Sequence, residues 1–184
     1  MSLVMQAKPK LTLLVLVFIF IGGFKMLLRK NIKVEDDGQT IYAVSGSVIP
    51  IEDVHDEVFC QKMMGDGLAI EPTEGKLYAP VSGIITVVFP TKHVIAITSM
   101  EGIDVIIHVG IDTVELKGTY FHPYVKVGDK VKAGDMLMSI DLKNIKKRYH
   151  PTTMIVIEND EDYQLFKTDH KDIQAAGELM KVRR

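Results

Sequence analysis

The sequence predicts an all-β domain: an antiparallel β-sandwich or barrel-like body with short helical turns. Three observations predict it. Short runs rich in Val, Ile and Thr recur from residue 41 onward, the composition of strands. Gly and Asp punctuate these runs, as at Gly65-Asp66-Gly67, Val127-Gly128-Asp129 and Ala133-Gly134-Asp135. Helical periodicity is scarce, with one short helix expected over residues 142–148 and a further turn over 161–166. Many short strands at such spacing indicate a sandwich or barrel.

Residues 1–30 differ from the rest. The eighteen residues from Leu11 to Leu28 are apolar apart from Thr12, Lys25 and the Gly22-Gly23 pair, close to the lower limit for spanning a bilayer. Lys25, Arg29, Lys30 and Lys33 follow this segment's core while only Lys8 and Lys10 precede it. The positive-inside rule then predicts a cytoplasmic domain tethered to the inner face of the membrane. Two rival readings stay open: a signal peptide without a convincing cleavage site, and a true start at Met26. Residues 31–40 are polar and read as a linker. Residues 41–184 form the domain. Its expected strands are 41–44, 47–50, 68–70, 76–78, 83–89, 94–98, 103–109, 124–127, 136–140 and 154–157. The A-P-V-S-G stretch (79–83) and V-G-D-K-V-K-A-G-D (127–135) suggest two halves built from similar hairpins.

The chain of 184 residues is 47% hydrophobic and 25% charged, an ordinary globular composition long enough for one domain and a tail. A net charge of −2 argues against a nucleic-acid partner. Cys60 is alone, which excludes an intrachain disulfide and a cysteine-based zinc site. It reads as a small buried hydrophobe.

The stretch from Lys92 to Asp112 carries the candidate chemistry. Two β-branched runs flank Ser99-Met100-Glu101-Gly102, and each holds one histidine. A hairpin centred between Met100 and Glu101 pairs residues whose numbers sum to 201, which sets His93 directly opposite His108. Their Cβ atoms would lie roughly 5 Å apart on one face. Ile106 and Gly110 would share the His108 face, with Val105, Ile107 and Val109 on the other.

Two neutral imidazoles at that distance can share a metal, share a phosphoryl group, or act as nucleophile and helper. The plain alternative is a pair of ordinary sheet residues. Gly110 would let its N–H point at an anion. Asp112 would orient an imidazole or a partner's cation, unless it is only a turn residue. Thr91 would accept the N–H of one His93 nitrogen and leave the other free. No phosphate-binding loop is present, so the phosphoryl group would not come from bound ATP. Val58, Phe59, Met63, Met64, Phe89, Ile106 and Val114 would form an apolar rim for docking several partners, if they are not core.

These residues carry a family resemblance. The chain over 40–184 resembles enzyme IIA of the glucose family of the bacterial phosphoenolpyruvate:sugar phosphotransferase system. The matching strings are G-S-V-I-P-I-E-D-V-x-D-x-V-F (46–59), M-G-D-G-L-A-I-E-P (64–72), A-P-V-S-G (79–83), F-P-T-K-H (89–93), V-K-V-G-D-K-V-K-A-G-D (125–135) and H-V-G-I-D-T-V-E-L-K-G (108–118). The last is highly specific. The resemblance implies a sandwich of the duplicated hybrid motif type, with a phosphorylated histidine in a shallow apolar depression. It implies that His108 accepts the phosphoryl group and that His93, bonded to Thr91, assists. Asp112 matches the acidic residue beside the site. Phospho-HPr would donate, and the cysteine of a permease IIB domain would accept. Regulatory target proteins are implied as well. No cofactor is required, and zinc could sit at His93 and His108 when a partner adds a ligand.

Two other classes compete. A lysostaphin-type zinc endopeptidase shares this kind of fold but needs an H-x-H, and position 110 is Gly. Biotinyl and lipoyl carriers resemble V-G-D-K-V-K-A-G-D-M-L but need a modified lysine in an M-K-M-like tip. A regulatory binding module without transfer would use the same surface.

Overall fold

The computed structural model describes residues 31–184. The expectations for residues 1–30 lie outside the described residues. Among those described, no helix is long and apolar enough to cross a membrane.

The chain runs β1 (Thr40–Tyr42), β2 (Gly46–Pro50), a 3-10 turn at Ile51–Asp53, α1 (Glu57–Cys60) and β3 (Asp66–Pro72). Then come β4 (Lys76–Tyr78), β5 (Gly83–Val88), β6 (Val94–Ser99), β7 (Asp104–Val109) and a 3-10 turn at Thr113–Leu116. β8 (Phe121–Pro123), β9 (Lys130–Val131), β10 (Met136–Ile140), α2 (Leu142–Ile145) and β11 (Thr153–Ile157) follow. A 3-10 turn at Asp160–Asp162, β12 (Gln164–Lys167), β13 (Asp172–Ile173) and β14 (Glu178–Arg183) complete it.

The strands form one eight-stranded sheet, in the order β13-β2-β3-β11-β7-β6-β5-β9, and two three-stranded sheets, β1-β14-β12 and β4-β10-β8. The ladders are antiparallel. One core draws on all three sheets: Ile95, Ile97 and Ile107 from the large sheet, Leu77, Phe121 and Met138 from the second, Met180 and Val182 from the third. This is the antiparallel sandwich that the strand pattern predicts. The two glycine-rich stretches lie against one another, with Ala79 N–H donating to Asp135 O at 2.8 Å and Ala133 N–H to Ser82 Oγ at 2.8 Å.

Several elements differ from expectation. The strand expected at 124–127 falls at β8, because Phe121 is fully buried and pairs with Ile140. Residues 125–127 instead lead into a turn in which Lys126 N–H donates to Asp129 Oδ2. The helical turn expected over 161–166 ends at Asp162, and 164–167 is strand paired with β14. A partner strand outweighs local propensity there. The polar stretch 31–40 is tied to the domain rather than lying free: Asn31 Nδ2–H donates to Asp135 Oδ1 at 2.6 Å and Ile32 N–H to Gly134 O at 2.9 Å.

The large sheet has two unlike faces. Ile95, Ile97, Val105, Ile107 and Val109 enter the common core. Val94, Ala96, Ile106, Met154 and Val156 lie on the other face, where the Ile51–Cys60 segment partly covers them with Ile51, Val54 and Phe59. The histidines lie at the open end of that second cluster.

Candidate functional site

The β6–β7 hairpin sets the site, and its register is one residue from that expected. Val94 pairs with His108 and Thr98 with Asp104, so partner numbers sum to 202. The cause is the turn. Ser99 N–H donates to Ile103 O at 2.8 Å and Gly102 takes φ +81°, giving a three-residue loop centred on Glu101. Strict alternation would then place His93 on the face away from His108. His93 escapes it because β6 begins only at Val94. Lys92 before it takes φ +60°, and the Phe89–Val94 turn closes with Phe89 N–H on Val94 O. The His93 backbone still joins the ladder through Val109 N–H, at 2.8 Å.

The rings therefore meet, edge to face rather than side by side. Their centroids are 4.8 Å apart at an interplanar angle of 86°. Phe89 stands edge-on to His93 at 5.5 Å, and Phe59 packs tilted on His108 at 5.0 Å. His93 is 5% exposed, and its Nδ1 is hydrogen bonded to Thr91 Oγ1 at 2.8 Å. His108 is half-buried. Its Nδ1 is the shielded nitrogen and has no hydrogen-bond partner of normal geometry among the described residues.

Burial disfavours the imidazolium at both positions. It lowers the pKa of His93, against a smaller upward pull from the Thr91 backbone. His108 is lowered to about 4, first by burial and then by repulsion from His93. The Asp56 charge and the Gly110 backbone oppose that shift without overcoming it. Burial thus favours the neutral form of both rings, and a neutral imidazole has a lone pair to attack with.

Two expectations about the supporting residues are corrected. Gly110 N–H does not face an anion: it donates to Thr152 O at 2.9 Å. Glycine is needed there because φ is +83° and a Cβ would lie 2.3 Å from Thr113 Cγ2. Asp112 orients neither imidazole. It is exposed in the left-handed region at φ +57° and makes no side-chain hydrogen bond or ion pair among the described residues.

The rim divides in two. Val58, Met63, Met64, Phe89 and Val114 are exposed, with Met63 at 68%. Phe59 and Ile106 are buried and belong to the floor, because the Ile51–Cys60 segment folds onto the sheet there. Cys60 is half-buried, and its Sγ–H donates to Glu57 O at 3.8 Å.

Sequence reasoning missed two contributors. Asp56 caps α1 by accepting from Val58 N–H at 2.9 Å, and it is the carboxylate whose charge reaches His108. Its signal was an Asp before a short helical run. Thr113 is fully buried and donates from Oγ1 to Val109 O at 2.5 Å, bracing the bend after His108. No group of three or more His, Cys, Asp or Glu side chains that could hold a metal ion occurs among the described residues. The two imidazoles therefore do not make a zinc site by themselves, and the peptidase reading lacks its ligand set.

Comparison with known proteins agrees with this geometry. Residues 39–163 match the model of the phosphoenolpyruvate-dependent sugar phosphotransferase system, EIIA 1 family. A glucose-specific EIIA component of Halalkalibacterium halodurans is 42% identical over 155 residues, covering 83% of this chain and 90% of its own length. A beta-glucoside-specific EIIBCA component of the same organism is 42% identical over 142 residues. The match takes 76% of this chain but only 22% of that longer protein. Among solved structures, glucose permease IIA from Mycoplasma capricolum superposes with a TM-score of 0.73 at 33% identity, covering 82% of this chain and 95% of that one. The chain belongs to the EIIA family of the phosphoenolpyruvate-dependent sugar phosphotransferase system and is a phosphoryl carrier of that system.

Proposed function

We propose that His108 Nε2 is the atom that carries the phosphoryl group, with His93 as its helper. The observation that carries this reading is the pair of neutral, edge-on imidazoles at 4.8 Å, in which one ring has its Nδ1 buried. The donor is phospho-HPr. Its N–P bond breaks as the Nε2–P bond forms, and the donor imidazole leaves with the electron pair. In the second step a thiolate of a permease IIB domain attacks phosphorus, the Nε2–P bond breaks and an S–P bond forms. In the neutral tautomer with its proton on Nε2, His93 accepts the Thr91 hydroxyl proton at Nδ1 and donates a hydrogen bond to the phosphoryl oxygens from Nε2. The Val58, Met63, Met64, Phe89 and Val114 rim excludes water and accommodates unlike partners, including regulatory targets.

These steps need no cofactor. Zinc at His93 and His108 would need further ligands from a docked partner. The domain works on the cytoplasmic side, where its donor is found. The beta-glucoside and glucose relatives differ in sugar, and the sugar is set by the permease that receives the group.

The test is intact mass of the full chain after incubation with phosphoenolpyruvate, enzyme I and HPr. One acid-labile phosphoryl adduct is expected, and it is absent from His108→Ala. An adduct on His93 in that variant would overturn the assignment.

A further inference from the structure

A second concavity lies away from the histidine pair, between the 3-10 turn at Thr113–Leu116 and the turn after α2. It has a volume of about 510 Å³, room for a small metabolite. Glu115, Tyr120, Asn144, Lys147, Arg148 and Tyr149 are among its walls, and neither His93 nor His108 lines it.

The walls are held in place. Asp141 anchors Asn144 twice, accepting from its backbone N–H at 3.1 Å and from its Nδ2–H at 2.6 Å. Asn144 Oδ1 in turn accepts from Lys147 Nζ at 2.6 Å, which ties the ammonium to a second wall residue. Tyr149 OH donates to Glu115 Oε2 at 3.0 Å. Tyr120 takes φ +74°, a conformation that a bulky residue rarely adopts and that is concentrated at functional positions. Arg148 is exposed and makes no hydrogen bond or ion pair to a side chain among the described residues. One positioned ammonium and one free guanidinium at the mouth of a cleft make a site for an oxyanion. Two tyrosines, the Asn144 amide and the Glu115 carboxylate in one lining suit a flat or hydroxylated ring.

We propose that this cleft binds a small phosphorylated metabolite. The phosphoryl group lies on Lys147 and Arg148, and the attached sugar or base ring lies against Tyr120 and Tyr149. The family's transfer chemistry does not require such a site, and the proposal stands apart from the role given to His108.

The experiment is an NMR titration of the full chain with glucose 6-phosphate, ATP and inorganic phosphate. Glucose and sodium sulfate at matched ionic strength serve as controls. Saturable shifts are expected at Tyr120, Asn144, Lys147, Arg148 and Tyr149, with glucose 6-phosphate or ATP binding more tightly than phosphate alone. The tighter of the two identifies the ring. Lys147→Ala with Arg148→Ala should weaken binding by about tenfold or more. The same double variant should still take a phosphoryl group on His108, which shows that it is folded. No saturable shift, or affinity unchanged in the double variant, would overturn the proposal. So would an equal response to sulfate. Inorganic phosphate binding as tightly as both organic ligands would overturn the ring subsite.

Discussion

The two faces of the eight-stranded sheet are built from the same strands and do different work. On the inner face Ile95, Ile97, Val105, Ile107 and Val109 are packed by all three sheets. On the outer face Val94, Ala96, Ile106 and His108 are covered only in part, by Ile51, Val54 and Phe59. Alternate residues of β7 thus meet either a closed core or a half-open one. The half-open face is dry enough to favour two neutral imidazoles, yet leaves the His108 ring half-exposed. A fully closed face could not exchange a group, and an open one would leave both rings solvated at their ordinary pKa.

The sharpest test of that contrast replaces neighbours on opposite faces. His108→Ala is expected to abolish the phosphoryl adduct in intact mass while the thermal unfolding curve stays cooperative. Ile107→Ala is expected to cost about 2–5 kcal/mol in denaturant unfolding and to leave the adduct intact. The reverse pattern would break the comparison.

His93→Gln comes next. The acceptor nitrogen survives, so the chain still takes a phosphoryl group from phospho-HPr. Passage to the IIB thiol should slow by roughly 10²–10⁴-fold in rapid-quench kinetics, the usual scale for losing a positioned proton donor.

The half-open face also predicts a pH signature. The folded pKa of His108, about 4, lies below the ordinary 6.5, and His93 is lowered too. As pH falls below 6.5, the unfolded chain takes up protons before the folded one does. Stability is therefore unaffected by these groups above pH 6.5 and is lost progressively down to about pH 4. Urea unfolding across this window should show it, with a shallower slope in His108→Gln. Equal slopes would mean that the outer face is wet.

Smaller effects belong to the rim. Met63→Asp with Val114→Asp should raise the KM for phospho-HPr by about tenfold, with kcat nearly unchanged, because exposed apolar contacts serve docking. Asp112→Ala should slow transfer a few-fold and change stability by less than about 0.5 kcal/mol, since its carboxylate has no partner within the domain. Loss of folding would instead make Asp112 a structural turn residue.

Much of this was legible in the sequence because it is local. The β-branched runs, the Gly-Asp turns and the two histidines on neighbouring strands follow from residue type and spacing. The parts that were not legible depend on distant chain. β12 and β14 form because they pair with one another and β14 also pairs with β1, which a short window cannot show. Phe59 and Ile106 read equally as rim or core until the Ile51–Cys60 segment is placed over the sheet. Gly110 looked free to bind an anion, but Thr152, forty-two residues on, takes its N–H.

By itself, the sequence determined the chemistry: which imidazoles exist, that the lone Cys60 has no cysteine to pair with, and that a hairpin brings the imidazoles near each other. Only the tertiary structure decided how they meet. A single residue in the turn shifts the register, and the left-handed Lys92 then returns His93 to the shared cleft. Burial shields Nδ1 of His108 from solvent and depresses the pKa of that ring. Residue types state what a group can do. Solvent exclusion by distant segments decides which of its atoms is shielded and which charge state is favoured.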